Sequence, residues 1–244
     1  MKRVIKLSIL ILISLSVYFI YEETNHKNIK ILVLGDSLSL GINSYGIKEY
    51  GYVDYYKDYL VGKDKKITIN KDYSKKELTI EELKEKIKTT PSLKKELSES
   101  HQIILNVGYN DLLYKLSLEQ NNKNLNLNKN IKEIESSYQE LIKEIDKYYN
   151  NSIILIGYPP SNQDDYYKNI GIKKINKILK NTPKSSYIDT YQLLNHKELF
   201  FSNPHSYYPN RYGYQAIAKK IIEKTLEKQE IIWYIKYALN YYDK

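Results

Sequence analysis

The sequence predicts an α/β fold in which a parallel sheet is covered by helices on both faces. Three observations carry the prediction. Short apolar runs recur along the chain, and longer stretches with helical periodicity separate them. Three of the runs end in conspicuous polar residues, as the strands of a parallel sheet do where they feed a ligand site.

In chain order, the expected strands are Lys30–Leu34 (KILVL), Ile67–Asn70, Ile103–Val107 (IILNV), Ile153–Gly157 (IILIG) and Ser186–Asp189. The clearest expected helices are Asn130–Tyr149 and Gly171–Leu179. In the first of these, Ile131, Ile134, Tyr138, Leu141, Ile142 and Ile145 recur at steps of three and four, as a core-facing helix requires. The Asn-rich stretch Gln120–Asn130 reads as a surface loop before it. There is no internal repeat and no break to a second domain. The expected organisation is a segment 1–21, a tether 22–28, one α/β domain over 29–227 and an aromatic tail 228–244.

The chain has 244 residues, with 38 Lys and Arg against 29 Asp and Glu, a formal charge of +9. Acids and bases interleave, as in ESSYQELIKEIDKYY, so no nucleic-acid stripe is evident. A hydrophobic content of 42% supports a packed core and excludes a wholly disordered chain. The absence of Cys excludes disulfides, thiolate catalysis and zinc–cysteine sites. The 27 Tyr belong to a composition also rich in Lys, Ile and Asn, so a single Tyr carries little functional weight.

At the N-terminus, Lys2, Arg3 and Lys6 precede an uncharged run from Leu7 to Tyr21. Counted from Val4, the segment is about 27 Å long as a helix, enough to span a bilayer if Lys6 snorkels. It ends in Val-Tyr-Phe-Ile-Tyr-Glu-Glu without a small-residue cleavage site, which favours an uncleaved anchor over a removed secretory signal. The positive-inside rule then puts the folded domain outside the cytoplasm.

Two strand ends carry candidate chemistry. The first leads into Gly35-Asp36-Ser37-Leu38: a Ser at the start of the next element presents its hydroxyl, with its own N–H available to an oxyanion. The bland alternative is a helix cap by Asp36 or Ser37. The third leads into Gly108-Tyr109-Asn110-Asp111, where the Asn110 amide could donate to an anionic oxygen or simply close a turn. Together, on two strands of one α/β chain, the motifs favour a site.

With these residues in place the chain resembles the SGNH, or GDSL, serine hydrolases. Gly35–Leu38 is similar to the family's nucleophile block and Gly108–Asp111 to its G-x-N-D block; Glu49–Leu60 and Pro209–Ala218 also agree. The resemblance, over about residues 29–227, implies a three-layer flavodoxin-like fold with a five-stranded parallel sheet. It further implies ester hydrolysis without a cofactor or metal, on a small-molecule, acyl-lipid or O-acetylated glycan substrate, with Ser37 as nucleophile and Asn110 as oxyanion donor. Asp36, Gly108 and Asp111 would support them.

Two departures stand out. The family's last block reads D-x-x-H-P-N, whereas this chain reads His205-Ser-Tyr-Tyr208-Pro-Asn, so Tyr208 holds the base position and His205 that of its orienting acid. A Tyr, with an ordinary pKa of ~10, is a poor base near neutrality. In the second block Glu77 aligns with the usual Gly, or Ser74 with a shift; a carboxylate pointing inward would oppose an oxyanion. His205 could serve as a displaced base, directly or through Tyr208, or be a surface residue of a decayed site. His196 is expected on the surface. The two functional expectations are a membrane-anchored ester hydrolase and a catalytically impaired binding module. Trp233 and its neighbours suit either a packed terminal helix or the membrane interface.

Overall fold

A computed structural model of the chain describes residues 28–63, 66–120, 126–161, 165–203 and 205–225. The anchor expected at 1–21, most of the tether and the tail at 228–244 lie outside them. No helix among the described residues is long and apolar enough to cross a membrane.

Five strands form one wholly parallel sheet: β1 (Ile29–Gly35), β2 (Ile67–Asn70), β3 (Gln102–Asn106), β4 (Ile153–Ile156) and β5 (Ser185–Ile188). Their order is β2-β1-β3-β4-β5. This is the flavodoxin-like arrangement, whose crevice lies where the order reverses, between β1 and β3. Strand side chains alternate between faces. Leu32, Leu34, Ile103 and Leu105 point into one core, and Ile31, Val33, Ile104 and Ile156 into the other.

The first core is closed by α3 (Ile80–Thr89), α4 (Pro91–Glu99), α5 (Tyr109–Gln120), α6 (Leu127–Asp146) and α7 (Tyr166–Lys180). The second is closed by α2 (Tyr52–Val61) and α10 (Arg211–Thr225). Short helices α1 (Ser37–Leu40), α8 (Thr190–Leu193) and α9 (Lys197–Phe200) complete the loops.

Four expected boundaries shift. The long helix starts at Leu127 because the Asn126 side chain caps it, accepting from Lys129 N at 3.1 Å; the Asn-rich loop therefore gives up its last residues to the first turn. Strand β5 ends at Ile188 because Asp189 is spent as the cap of α8, accepting from Gln192 N at 3.1 Å. Strands β3 and β4 stop one residue early, just before the turns that carry Gly108 and Tyr158.

Candidate active site

The registers of β1 and β3 bring their polar ends together: Gly35 pairs with Asn106, and Asp36 N–H donates to the Asn106 carbonyl at 3.1 Å. This close approach requires glycine at 35. A Cβ there would lie 2.1 Å from Ser39 Oγ and 2.9 Å from the Asn106 carbonyl. At the end of β3 the chain turns through Gly108 with φ +124°, a conformation that side-chain-bearing residues avoid.

Asp36 caps α1, its Oδ1 accepting from Leu38 N at 3.0 Å. Ser37 is thus fixed at the first position of that helix, only 7% exposed. Neither its hydroxyl nor its N–H has a hydrogen-bond partner among the described residues. The Asp36 cap is present, and Ser37 follows it at the start of α1.

Asn110 reaches the same place from β3. Its amide donates to Leu78 O at 3.1 Å and makes a long contact of 3.5 Å to Asp36 Oδ2. The Tyr158 hydroxyl, from the turn after β4, donates to the same Asp36 oxygen at 3.2 Å. Burial pushes the Asp36 carboxyl up to about 7, opposed by the bonds from Leu38 and Tyr158 and reinforced by Asp111. Asp111 accepts from Ile80 N with both oxygens, at 3.1 and 3.2 Å, and burial pushes it up to about 6. The G-Y-N-D turn therefore pins the segment after β2 through both Asn110 and Asp111.

That segment supplies the two candidates of the second block. Ser74 is structural: its hydroxyl accepts from Gly35 N at 3.1 Å and donates to Val33 O at 2.8 Å, stitching the loop to β1. Glu77 has φ +59°, the left-handed backbone that glycine adopts most readily. Its alignment with the family's Gly is thus matched by the backbone. Its side chain is exposed, and the segment is held by Leu78 and Ile80 on its far side.

The last loop differs most from expectation. His205 is exposed in a turn, its N–H bonded to Asn203 Oδ1 at 2.9 Å, and it makes no hydrogen bond to Ser37. Tyr208 is half-buried, held by Ser44 Oγ donating to its carbonyl at 3.2 Å, and its hydroxyl does not bond Ser37 either. The residue packed into the site is Tyr207. Its ring stacks on Tyr109 with centroids 4.2 Å apart, and Tyr109 stacks in turn on Tyr158 at 5.4 Å. The Tyr207 hydroxyl is sealed from solvent without a hydrogen-bond partner among the described residues. Burial, with Asp36 and Tyr158 nearby, holds this phenol far above its ordinary range and therefore neutral.

This tyrosine column was not singled out from sequence. The only signal was that Tyr109 lies inside the G-Y-N-D turn and Tyr207 beside the displaced base position. His196 is exposed, as expected, and lies 3.5 Å from Glu198. No cluster suited to a metal ion exists among the described residues.

Residues 31–221 match the family model described as GDSL-like Lipase/Acylhydrolase. No curated protein sequence matches the chain. Among solved structures, similar folds include the lipase Lip_vut3 from a goat rumen metagenome, with TM-score 0.68 and 20% identity. That likeness covers 82% of this chain and 99% of the other. A catalytic mutant of an acetylxylan esterase from Geobacillus stearothermophilus aligns with TM-score 0.60 and 18% identity, covering 83% and 96%. An α/β hydrolase, LAE5, from the metagenome of Lake Arreo, Spain, aligns with TM-score 0.61 and 15% identity, covering 82% and 96%.

Proposed function

The chain belongs to the GDSL-like lipase/acylhydrolase family, and from that premise we propose that it is a serine hydrolase of acyl or acetyl esters. The observation that carries the reading is the setting of Ser37. It sits at the carboxyl end of β1 and the first position of α1, with its N–H unclaimed and Asn110 held beside Asp36. Attack by Ser37 Oγ on an ester carbonyl would place the developing oxyanion against the Ser37 N–H and the Asn110 amide, provided that Asn110 turns from Asp36. The leaving alcohol departs as the tetrahedral intermediate collapses to an acyl-enzyme, which water then cleaves. The base assigned to these steps is His205, brought inward with its loop: it takes the Ser37 proton, passes it to the departing alkoxide, then takes a proton from the attacking water and returns it to Ser37 Oγ. An acetylated glycan or an acyl lipid is the proposed substrate class. The esterase and lipase named among the structural neighbours support that choice.

The proposed location is the outer face of a membrane, held by the apolar segment 1–21. The charged flank and uninterrupted apolar run support it.

Two observations favour a second reading, in which the pocket binds an ester without turning it over. Ser37 Oγ has no base bonded to it among the described residues, and Asp36 lies where a negative charge would oppose an oxyanion. Turnover of a short-chain activated ester by the full chain in neutral detergent separates the two. The hydrolase reading expects slow hydrolysis that Ser37→Ala abolishes and Asn110→Ala lowers by about 10²-fold. Hydrolysis indifferent to Ser37→Ala would overturn the nucleophile assignment. Saturable ester binding without turnover would establish the second reading.

A further inference from the structure

Far from Ser37, the outer edge of the sheet carries a concentrated positive charge. Strand β5 has no strand neighbour on its outer side among the described residues, and α7 and α10 flank it from opposite faces of the sheet. Lys173, Lys177 and Lys180 fall at i, i+4 and i+7 on α7, and Lys220 and Lys224 at i and i+4 on α10. Each set therefore forms a row on one side of its helix, with steps of about 4.5 to 6 Å along the axis. All five are exposed.

Between the rows lie two adjoining cavities of about 340 and 460 Å³. They share Lys180, Tyr187, Asp189 and Gln192, so they form one groove that wraps the β5 edge. Its rim sets five Lys against a single acid, Asp189, whereas the whole chain sets 38 bases against 29 acids. Asp189 is also committed, as the cap of α8. Lys220 is paired with Glu223 at 2.6 Å, but Lys173, Lys177, Lys180 and Lys224 have no ion pair among the described residues. Lys173 instead lies over the Tyr191 ring, 5.4 Å from its centroid.

We propose that this groove binds a linear polymer carrying phosphate diesters along its length. The sign of the charge selects an anion, and two opposed rows along a channel suit a strand better than a flat lipid surface. The cations are all Lys, which meet phosphate as point charges; a carboxylate ligand would favour the planar fork of Arg, and the groove has none. Base-reading proteins stack bases on exposed aromatic rings. Here Tyr187 and Tyr191 are half-buried, and the latter is covered by Lys173, so the groove offers charge without a stacking platform.

A wall residue of the groove also holds the turn that carries Tyr158. Asn176, in its wall, accepts from Tyr158 N–H and donates to the Tyr158 carbonyl, both at 2.8 Å, and the Tyr158 hydroxyl bonds Asp36. Binding here is independent of whether Ser37 turns over an ester. Lysines at a sheet edge also discourage pairing with another sheet, and a role confined to that would leave polymer binding absent.

The test uses the full chain in neutral detergent and a fluorescent abasic oligomer, a phosphodiester backbone without bases. If five Lys neutralise it, log K against log salt should have a slope of about −3.5. Lys177→Gln with Lys224→Gln, one from each row, should bring the slope to about −2 and weaken binding at least tenfold. The same exchange at the ion-paired Lys30 and Lys75 should change neither, and all variants should keep the wild-type melting curve. No binding at low salt, or full binding by the Lys177/Lys224 variant, overturns the proposal. At least tenfold tighter binding of a base-bearing strand of equal length would overturn it in favour of nucleic acid.

Discussion

The ring of Tyr207 lies on that of Tyr109 with 7° between their planes, and in this stack the Tyr207 hydroxyl is buried without a polar partner among the described residues. A buried hydroxyl without a partner costs on the order of 1–3 kcal/mol. Tyr207→Phe keeps the stack and removes the cost, so it should stabilise the domain. In a protein of this size the melting temperature should rise by about 2–4 °C for each kcal/mol regained. A lower melting temperature for the Phe variant would show that the hydroxyl finds a partner in solution.

The adjacent position tests the chemistry of the last loop. Tyr208→His combined with His205→Asp restores the D-x-x-H spacing. Hydrolysis of an activated ester at neutral pH is expected to rise by about 10²-fold or more, the usual contribution of a placed general base. Adding Ser37→Ala should abolish the gain. An unchanged rate would mean that position 208 does not face Ser37, as the outward-held loop and the inward Tyr207 would then explain.

Asp36 makes stability depend on pH in a defined direction. Its folded carboxyl titrates at about 7 rather than near 3.8. Between those values the native state keeps a proton that the unfolded chain has lost. Stability therefore falls as pH rises through that window and levels off above about 7. Asp111, at about 6, adds the same trend over a narrower range. Melting temperature should decline from pH 5 to pH 8, less steeply in Asp36→Asn, which keeps an oxygen for the cap of α1. An equal slope in that variant would remove Asp36 as the source.

Glu77 allows a substitution that improves on the native residue. A left-handed backbone costs a non-glycine residue about 1–2 kcal/mol, while glycine loses about 0.4–1 kcal/mol through the freedom of the unfolded chain. Glu77→Gly should therefore gain up to about 1.6 kcal/mol, seen as a higher denaturation midpoint in urea. A lower midpoint would mean that the exposed carboxylate contributes more than the strain it accompanies.

The sheet was legible because buried parallel strands must be apolar along their whole length, and KILVL, IILNV and IILIG have no other use. Asp36, Ser37, Asn110 and Asp111 were legible because polar residues directly after such runs must lie at the sheet's carboxyl edge. The end of β5 was misplaced by one residue because Asp189 suits a strand end and a helix cap equally well in sequence. The tyrosine column was hidden by composition: among 27 Tyr, only the places of Tyr109 in the G-Y-N-D turn and of Tyr207 beside Tyr208 set them apart, and nothing marks Tyr158 as their neighbour. The lysine groove was hidden by distance along the chain, since its two rows lie on helices separated by β5 and two short helices.

The pairing of β1 with β3 also sets an order of events during synthesis. Strand β1 emerges first, yet its partner at Gln102–Asn106 is made only after β2, α3 and α4. Until then an apolar ILVL run has one edge unmatched, or two before β2 arrives. Such long-range parallel pairing forms slowly and leaves the waiting segment prone to aggregation. In the proposed anchored arrangement, with the N-terminus kept inside, that wait would lengthen, because everything from β1 to α4 would have to clear the channel before Ser37 and Asn110 could meet. Maturation of the site would in that case be limited by how fast residues near 106 arrive, with β1 left unpaired in the meantime.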